Sequence, residues 1–556
     1  MKNLNIYYKL LILLFLSIIQ TSCKKSPLDN VQVSINTEVL STPTTIFFEN
    51  AINQSSVQPT DFTVKISGKD ANKVLSAIGN QMFEVQNGFL ILNLTKGTLP
   101  TSENPIQFII TGNEENFEPI YKEITITNNE DQSIIVKMIE SGKLPEGITE
   151  TKTTTLLDNG KFTSAYTFET PALNGAKQET SFKIESGTTM TDIDGKVIDG
   201  NNLEIKARYF DPSTDAIDVI PGGLTPQNVK DINGSPIEGG VQFYSSGLIQ
   251  IEMKAGEKIV KGFSKPISAE MELKANQENP LTGEPIVAGD SIPLWSRDDI
   301  SGVWNNEGFA KVVSENGKLT AKFEMLHLSS WNLDHFERAT SIFRKLTLNF
   351  KTNTWKNPSG NFEILMLTPS NMVLARNNFG AIYNGQKLNL NRVPNIPKIK
   401  FRIINKSNNK EVETALIDPK TISMLDIDIS KLDIDKSIDI SIKYNVKCQQ
   451  NTKFKPEANA FLIIYDKTDN KKYVFRTGKG IDATQGTLNL SLKEGNKYLI
   501  QTTGLDGKLI SYESILDRKT LNSVKPVLNG LTVDKLIYNE TTNKIEVELT
   551  YTTSKC

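Results

Sequence analysis

Period-two alternation of apolar and polar residues runs through almost the whole chain, and no apolar pattern of helical period is sustained anywhere. In "FTVKISG", Phe62, Val64 and Ile66 fall on one face and Thr63, Lys65 and Ser67 on the other. "SIDISIKYNVKC" sets Ile438, Ile440, Ile442, Tyr444 and Val446 against polar partners, and "NKIEVELTYTT" repeats this with Ile545, Val547, Leu549 and Tyr551. Successive side chains of a strand point to opposite faces, so such segments are half-buried strands. Turn signals such as "DNG", "IDG", "PGG" and "ENG" separate them at short intervals. Many short strands with this punctuation exclude a doubly wound α/β fold and predict β-sandwiches. The fold class expected is all-β, a tandem row of immunoglobulin-like and transthyretin-like sandwich modules.

Length sets how many modules. A chain of 556 residues is too long for a single core. Residues 31–139 form a first sandwich with strands near 44–49, 62–67, 89–94, 106–111, 121–127 and 133–139. "GKLPEG" then marks a boundary. Residues 140–338 form a larger β-module, whether one domain or two; residues 339–444 form a third unit and residues 445–556 a fourth.

The chain start carries a different signal. Lys2 and Lys9 flank the beginning of an apolar run from Leu10 to Ile19, too short to span a bilayer as a helix and of the length of a signal peptide. It leads into "QTSC". Small residues at Thr21 and Ser22 before Cys23 resemble the lipobox of bacterial lipoproteins, in the loose form found in the Bacteroidota, with Gln20 where Leu is usual. That resemblance implies cleavage after residue 22, acylation of Cys23 and a lipid-anchored protein of the outer membrane. Several acyl chains on one residue anchor stably, because each buried CH2 contributes about 0.8 kcal/mol. Residues 23–30 are then a short tether. Surface-exported lipoproteins of these bacteria often have acids just after the Cys; Lys24 and Lys25 favour the periplasmic side.

Two further stretches carry resemblances. "SFKIESGTTMTDIDGKVIDGNNLEIKARYFDP", "SSGLIQIEMKAGEK" and "IPLWSRDDISGVWNNEG" occur in that order and end on "WNLD". Residues 180–335 thereby resemble the extracellular β-module of cartilage intermediate layer protein, also found in bacterial lipoproteins. Leu294, Trp295, Gly302, Trp304, Gly308, Trp331, Asn332 and Asp334 carry the match. In the last unit Leu492, Gly495 and Tyr498 match the "L-x-x-G-x-x-Y" of transthyretin-like and carboxypeptidase-regulatory modules. Both resemblances imply architecture and say little about activity.

Chemistry is sparse. The only two histidines, His327 and His335, sit in "MLHLSSWNLDHF". Their spacing matches no metal motif, and the segment reads as a closing strand with His335 past its end. No nucleophile elbow, zinc-protease motif, Walker loop or dinucleotide fingerprint occurs. No catalytic residue, metal or cofactor is expected. "MTDIDGKVIDG" places Asp192, Asp194 and Asp199 beside glycines but lacks the ligands of a calcium loop, so a hairpin turn is expected. Trp295, Trp304 and Trp331 could form a sugar-stacking platform, but such residues more often fill the sandwich core or seal its end, and that is the preferred reading. A net charge of -2 leaves no footprint for nucleic acid. Cys448 and Cys556 follow alternating strands read as the first and last of one sandwich, which makes them a candidate disulfide in an oxidising compartment. The function expected is non-catalytic: binding, adhesion or scaffolding at the envelope, through membrane lipid at Cys23 and a glycan or an envelope or host protein as partner. The alternative is an accessory glycan-binding lipoprotein of a polysaccharide-uptake system.

Overall fold

A computed structural model describes residues 40–553, except for internal stretches of which the longest are 353–361, 449–460, 477–484, 504–508 and 518–526. Residues 1–30, with the signal-peptide reading, the tether and Cys23, lie outside the described residues, as does Cys556. The protein is all-β. Among the described residues the helical turns are Ala71–Lys73 and Asp215–Val219, both of the tight 3-10 type.

The alternation read from the sequence is realised strand by strand. In Thr180–Ile184, Thr180, Phe182 and Ile184 are buried while Ser181 and Lys183 are exposed. The first module packs the sheet containing Val74–Ser76, Phe89–Thr95, Leu40–Asn50 and Gln132–Met138 on a second sheet of Phe83–Val85, Phe62–Ser67, Ile106–Gly112 and Ile120–Ile126. Ile46, Phe48, Leu92, Phe108, Ile110 and Ile126 fill the space between them. Its first strand, Leu40–Asn50, runs parallel to its last, Gln132–Met138, with Thr44 opposite Gln132 and Asn50 opposite Met138.

The second module is built on a single sheet. All its strands, from Ile148–Leu156 to Ser330–Arg338, belong to one 13-stranded sheet. That sheet folds over so that its edge strands, Ile148–Leu156 and Tyr166–Thr170, meet through side chains. The Thr151 hydroxyl donates to the Glu169 carbonyl at 2.7 Å, and the Thr153 and Tyr166 hydroxyls lie 2.8 Å apart. One apolar core runs through the roll, from Phe162 and Phe182 to Met325, Trp331 and Leu333.

The third group pairs a three-stranded with a four-stranded sheet between Arg344 and Asp428, and again its first and last strands, Arg344–Lys351 and Met424–Asp428, are parallel. The fourth pairs a five-stranded with a four-stranded sheet. The strand Ser437–Cys448, which a boundary at 444/445 would cut, belongs wholly to this last group: it pairs with Gln485–Lys493 and lies parallel to Lys544–Thr553. Tyr498 stabilises the fourth group's fold in the manner of a tyrosine corner. Its hydroxyl donates to the Lys493 carbonyl at 3.0 Å and accepts the Lys493 N–H at 2.7 Å, across the turn that Gly495 makes at φ 87°.

Candidate functional site

The "MLHLSSWNLDHF" stretch is two strands. Lys318–His327 ends at the first histidine, Leu328 and Ser329 turn the chain, and Ser330–Arg338 carries Trp331, Asn332, Asp334 and His335. His335 therefore lies within a strand, opposite Tyr244, and not past a strand end. The sequence pattern hid this because a sharp two-residue turn keeps the apolar alternation almost in phase.

The two histidines have separate surroundings. His327 lies over the Trp331 indole, ring centroids 4.9 Å apart, with Nε2 3.4 Å from Glu307 Oε1 and Nδ1 3.3 Å from the Ser329 hydroxyl. Ser329, His327 and Glu307 follow the order of an acyl-transfer triad. The geometry is not that of one: both contacts are at the long limit of hydrogen bonding, Ser329 is only 3% exposed, and Glu307 is engaged by the Ser296 hydroxyl at 2.6 Å. His335 is buried, and desolvation pushes its imidazole down to about 4 against the opposing pull of Asp290, so it is neutral at ordinary pH. Among the described residues no three His, Cys, Asp or Glu side chains converge as a metal site.

The tryptophan platform is corrected by burial. Trp295 and Trp304 are 0% exposed and Trp331 2%, which leaves no indole face for a sugar. Trp295 and Trp304 sandwich Phe243, at centroid distances of 5.1 and 5.2 Å, and Trp295 meets Phe336 edge-on at 4.9 Å. Their apolar cluster includes Leu365, Leu367 and Val373 of the third module. These two tryptophans are therefore mortar between modules. Beside them Asp334 is fully buried, and desolvation holds its carboxyl well above the usual range, against the lowering pull of the Ser245 hydroxyl.

Charged contacts complete the joints. Toward the first module, Arg208 makes a two-pronged pair with Glu118 at 2.7 and 2.8 Å and a third bond to Glu150 at 2.6 Å. The Arg297 guanidinium lies 4.2 Å over the Tyr121 ring, and Glu123 accepts the Gln227 N–H at 2.6 Å. Burial raises the Glu123 carboxyl to about 7, against the lowering pull of Gln227 and Arg297. Toward the third module, Arg376 reaches Asp215, Asp218 and Glu363 at 2.8, 3.2 and 2.9 Å. These pairs were missed in the sequence because their partners lie far apart along it.

One missed signal was local. The Asp192 hairpin, with its Oδ1 accepting the N–H of Asp194 at 3.0 Å and of Lys196 at 2.9 Å, recurs at Asp231, whose Oδ1 accepts from Asn233 and Ser235, each at 2.9 Å. "DIDGKVIDG" and "DINGSPIEG" are the same turn twice, each ending on a buried isoleucine, Ile198 and Ile237.

No protein family matches the sequence, and no curated protein does. Among solved structures, the chain is similar to BcpA, the major pilin subunit of Bacillus cereus, at 10% identity over 92% of this chain and 99% of that one, TM-score 0.12. It is similar also to the Bacillus anthracis TIE protein, at 9% identity over 92% and 73%, TM-score 0.13. The shaft pilin SpaA from Lactobacillus rhamnosus GG shows 7% identity over 38% and 98%, TM-score 0.15. Likeness at these TM-scores carries no argument about function. Among the described residues no helix is long and apolar enough to cross a membrane.

Proposed function

We propose that the protein is a lipid-anchored, non-catalytic binding, adhesion or scaffold protein of the bacterial envelope, held to the outer membrane by acylated Cys23 with the periplasmic side favoured. The observation that carries the scaffold reading is the pair of joints around the second module. The apolar cluster that contains Trp295 and Trp304 continues into the third module, and buried Arg208 locks the first, so three modules hold a fixed spacing. The glycan-binding alternative loses its main support with the burial of the three tryptophans.

The anchor is tested by Cys23→Ala. The variant is expected to be unprocessed or soluble and to take up no labelled palmitate; membrane retention and labelling equal to the parent's would overturn it. The Cys448–Cys556 disulfide belongs to the same reading. Cys448 lies opposite Thr553 in parallel register, and Cys556 follows Thr553 closely in the chain. Closing that loop contributes about 4–5 kcal/mol on the chain-entropy account. A non-reducing peptide map should recover the linked peptides, and two free thiols would refute the bridge.

A further inference from the structure

A cleft of about 360 Å³ opens where the loop before Ser291–Arg297 crosses the roll. Ile286 and Ile292, both part of the roll's core, lie buried beneath it, and exposed Val287 gives it an aliphatic wall. Its rim carries the exposed carboxylates of Glu284 and Asp290. His335 lines it as well, on the strand face that Trp331 and Leu333 turn to the core. Only 5% of His335 is exposed, and its Nδ1 has no hydrogen-bond partner.

The loop is held in shape by its own backbone. The Asn279 N–H donates to the Glu284 carbonyl and the Ile286 N–H to the Gln277 carbonyl, each at 2.8 Å. The Asp290 carboxylate accepts the Val287 N–H at 2.8 Å, and its carbonyl accepts the Val312 N–H at 2.9 Å. The cleft is therefore preformed, which lowers the entropic cost of binding.

Its chemistry selects the occupant. Two acidic residues line it and no lysine or arginine does, so it repels anions and favours a cation. Glu284, Asp290 and His335 do not converge as a metal set, nor does any other trio of such groups among the described residues. An aliphatic wall at Val287 beside acidic groups suits a cation on an aliphatic stem, whose methylenes each contribute about 0.8 kcal/mol when buried. No phenyl or indole face lines it for a sugar ring. We propose that this cleft takes a lysine side chain presented by a partner protein, its ammonium against Glu284 and Asp290 and its stem along Val287. The inference rests on the reading of the chain as a binding protein and supplies the chemistry of the partner.

The test titrates the full chain with Nα-acetyl-lysine N-methylamide, read by ligand-observed NMR. Saturable binding is expected, weakened at least tenfold in the Glu284→Gln/Asp290→Asn variant. The melting temperature of that variant should stay unchanged, since both side chains are exposed and the amide oxygen introduced by Asp290→Asn can still accept the Val287 N–H. The uncharged norleucine analogue should bind at least tenfold more weakly than the lysine compound. Absence of saturable binding, equal binding of the norleucine analogue, or insensitivity to the double substitution would each overturn the proposal. Saturable competition by methyl glucopyranoside would overturn it in favour of a carbohydrate. Cells carrying the double variant separate this from the broader reading: adhesion that persists while lysine binding is lost leaves the envelope function standing and removes the cleft from it.

Discussion

The second module is bound to its two neighbours by different physics. On the side of the third, the joint is a shared apolar core: Trp295, Trp304 and Phe243 continue into Leu365, Leu367 and Val373, with Arg376 at the border. On the side of the first, that cluster takes in Ile139, and the other contacts are ionic and polar: Arg208 between Glu118 and Glu150, Arg297 over Tyr121, and Glu123 on Gln227. Apolar burial is non-directional and nearly indifferent to salt and pH. A desolvated ion pair is directional and leaves a costly orphan when one partner goes. The first joint is therefore the adjustable one and the second the permanent one.

Substitution at the permanent joint should have the largest effect. Trp304→Ala removes a fully buried indole and is expected to destabilise the joined modules by about 3–5 kcal/mol. Denaturant melts should give the same loss at low and high salt; a loss that changes with salt would break the contrast. Arg208→Ala leaves half-buried Glu118 and Glu150 facing each other without their shared cation. It should cost about 2–4 kcal/mol at low salt and less in molar salt, where the screening length falls to about 3 Å. A salt-independent loss would mean that the guanidinium acts by packing alone.

The smallest effect is the pH response of Glu123. Its folded-state value, raised to about 7, exceeds the unfolded value, so burial favours the protonated form. The favourable state is fully present below about pH 4.5 and is lost as pH rises through about 7. Glu123→Gln should therefore stabilise the protein by on the order of 1–3 kcal/mol at pH 8 and leave it nearly unchanged at pH 5. Melts at the two pH values that shift equally would show that the carboxylate is not the sensor.

Alternation reveals which face of a strand is apolar, and it located Phe62–Ser67, Ile106–Gly112 and Ile120–Ile126 within a residue or so. It is silent on which strand lies beside which. Nothing in the local pattern joins Ile148–Leu156 to Asn202–Phe210 in one rolled sheet, because that pairing is set by packing over long sequence separations. Short strands such as Val74–Ser76 and Phe83–Val85 have too few residues to display a period. The tryptophans were legible as large apolar groups, but whether such a group meets a ligand or a neighbouring module depends on a contact with residues 365–373 that one-dimensional reading does not contain. The cleft at His335 was hidden for the same reason: its loop and its strand are brought together only by the roll.

In the first, third and fourth modules the opening strand runs parallel to the closing one: Leu40–Asn50 with Gln132–Met138, Arg344–Lys351 with Met424–Asp428, and Ser437–Cys448 with Lys544–Thr553. The chain thus enters each of these modules at one end of the paired strands and leaves at the other. A tensile load applied through the chain acts along that ladder, in shear. Its hydrogen bonds then resist together, whereas an antiparallel hairpin loaded at its open end would unzip one bond at a time. A row of such units transmits a pull along the chain without first being unravelled by it.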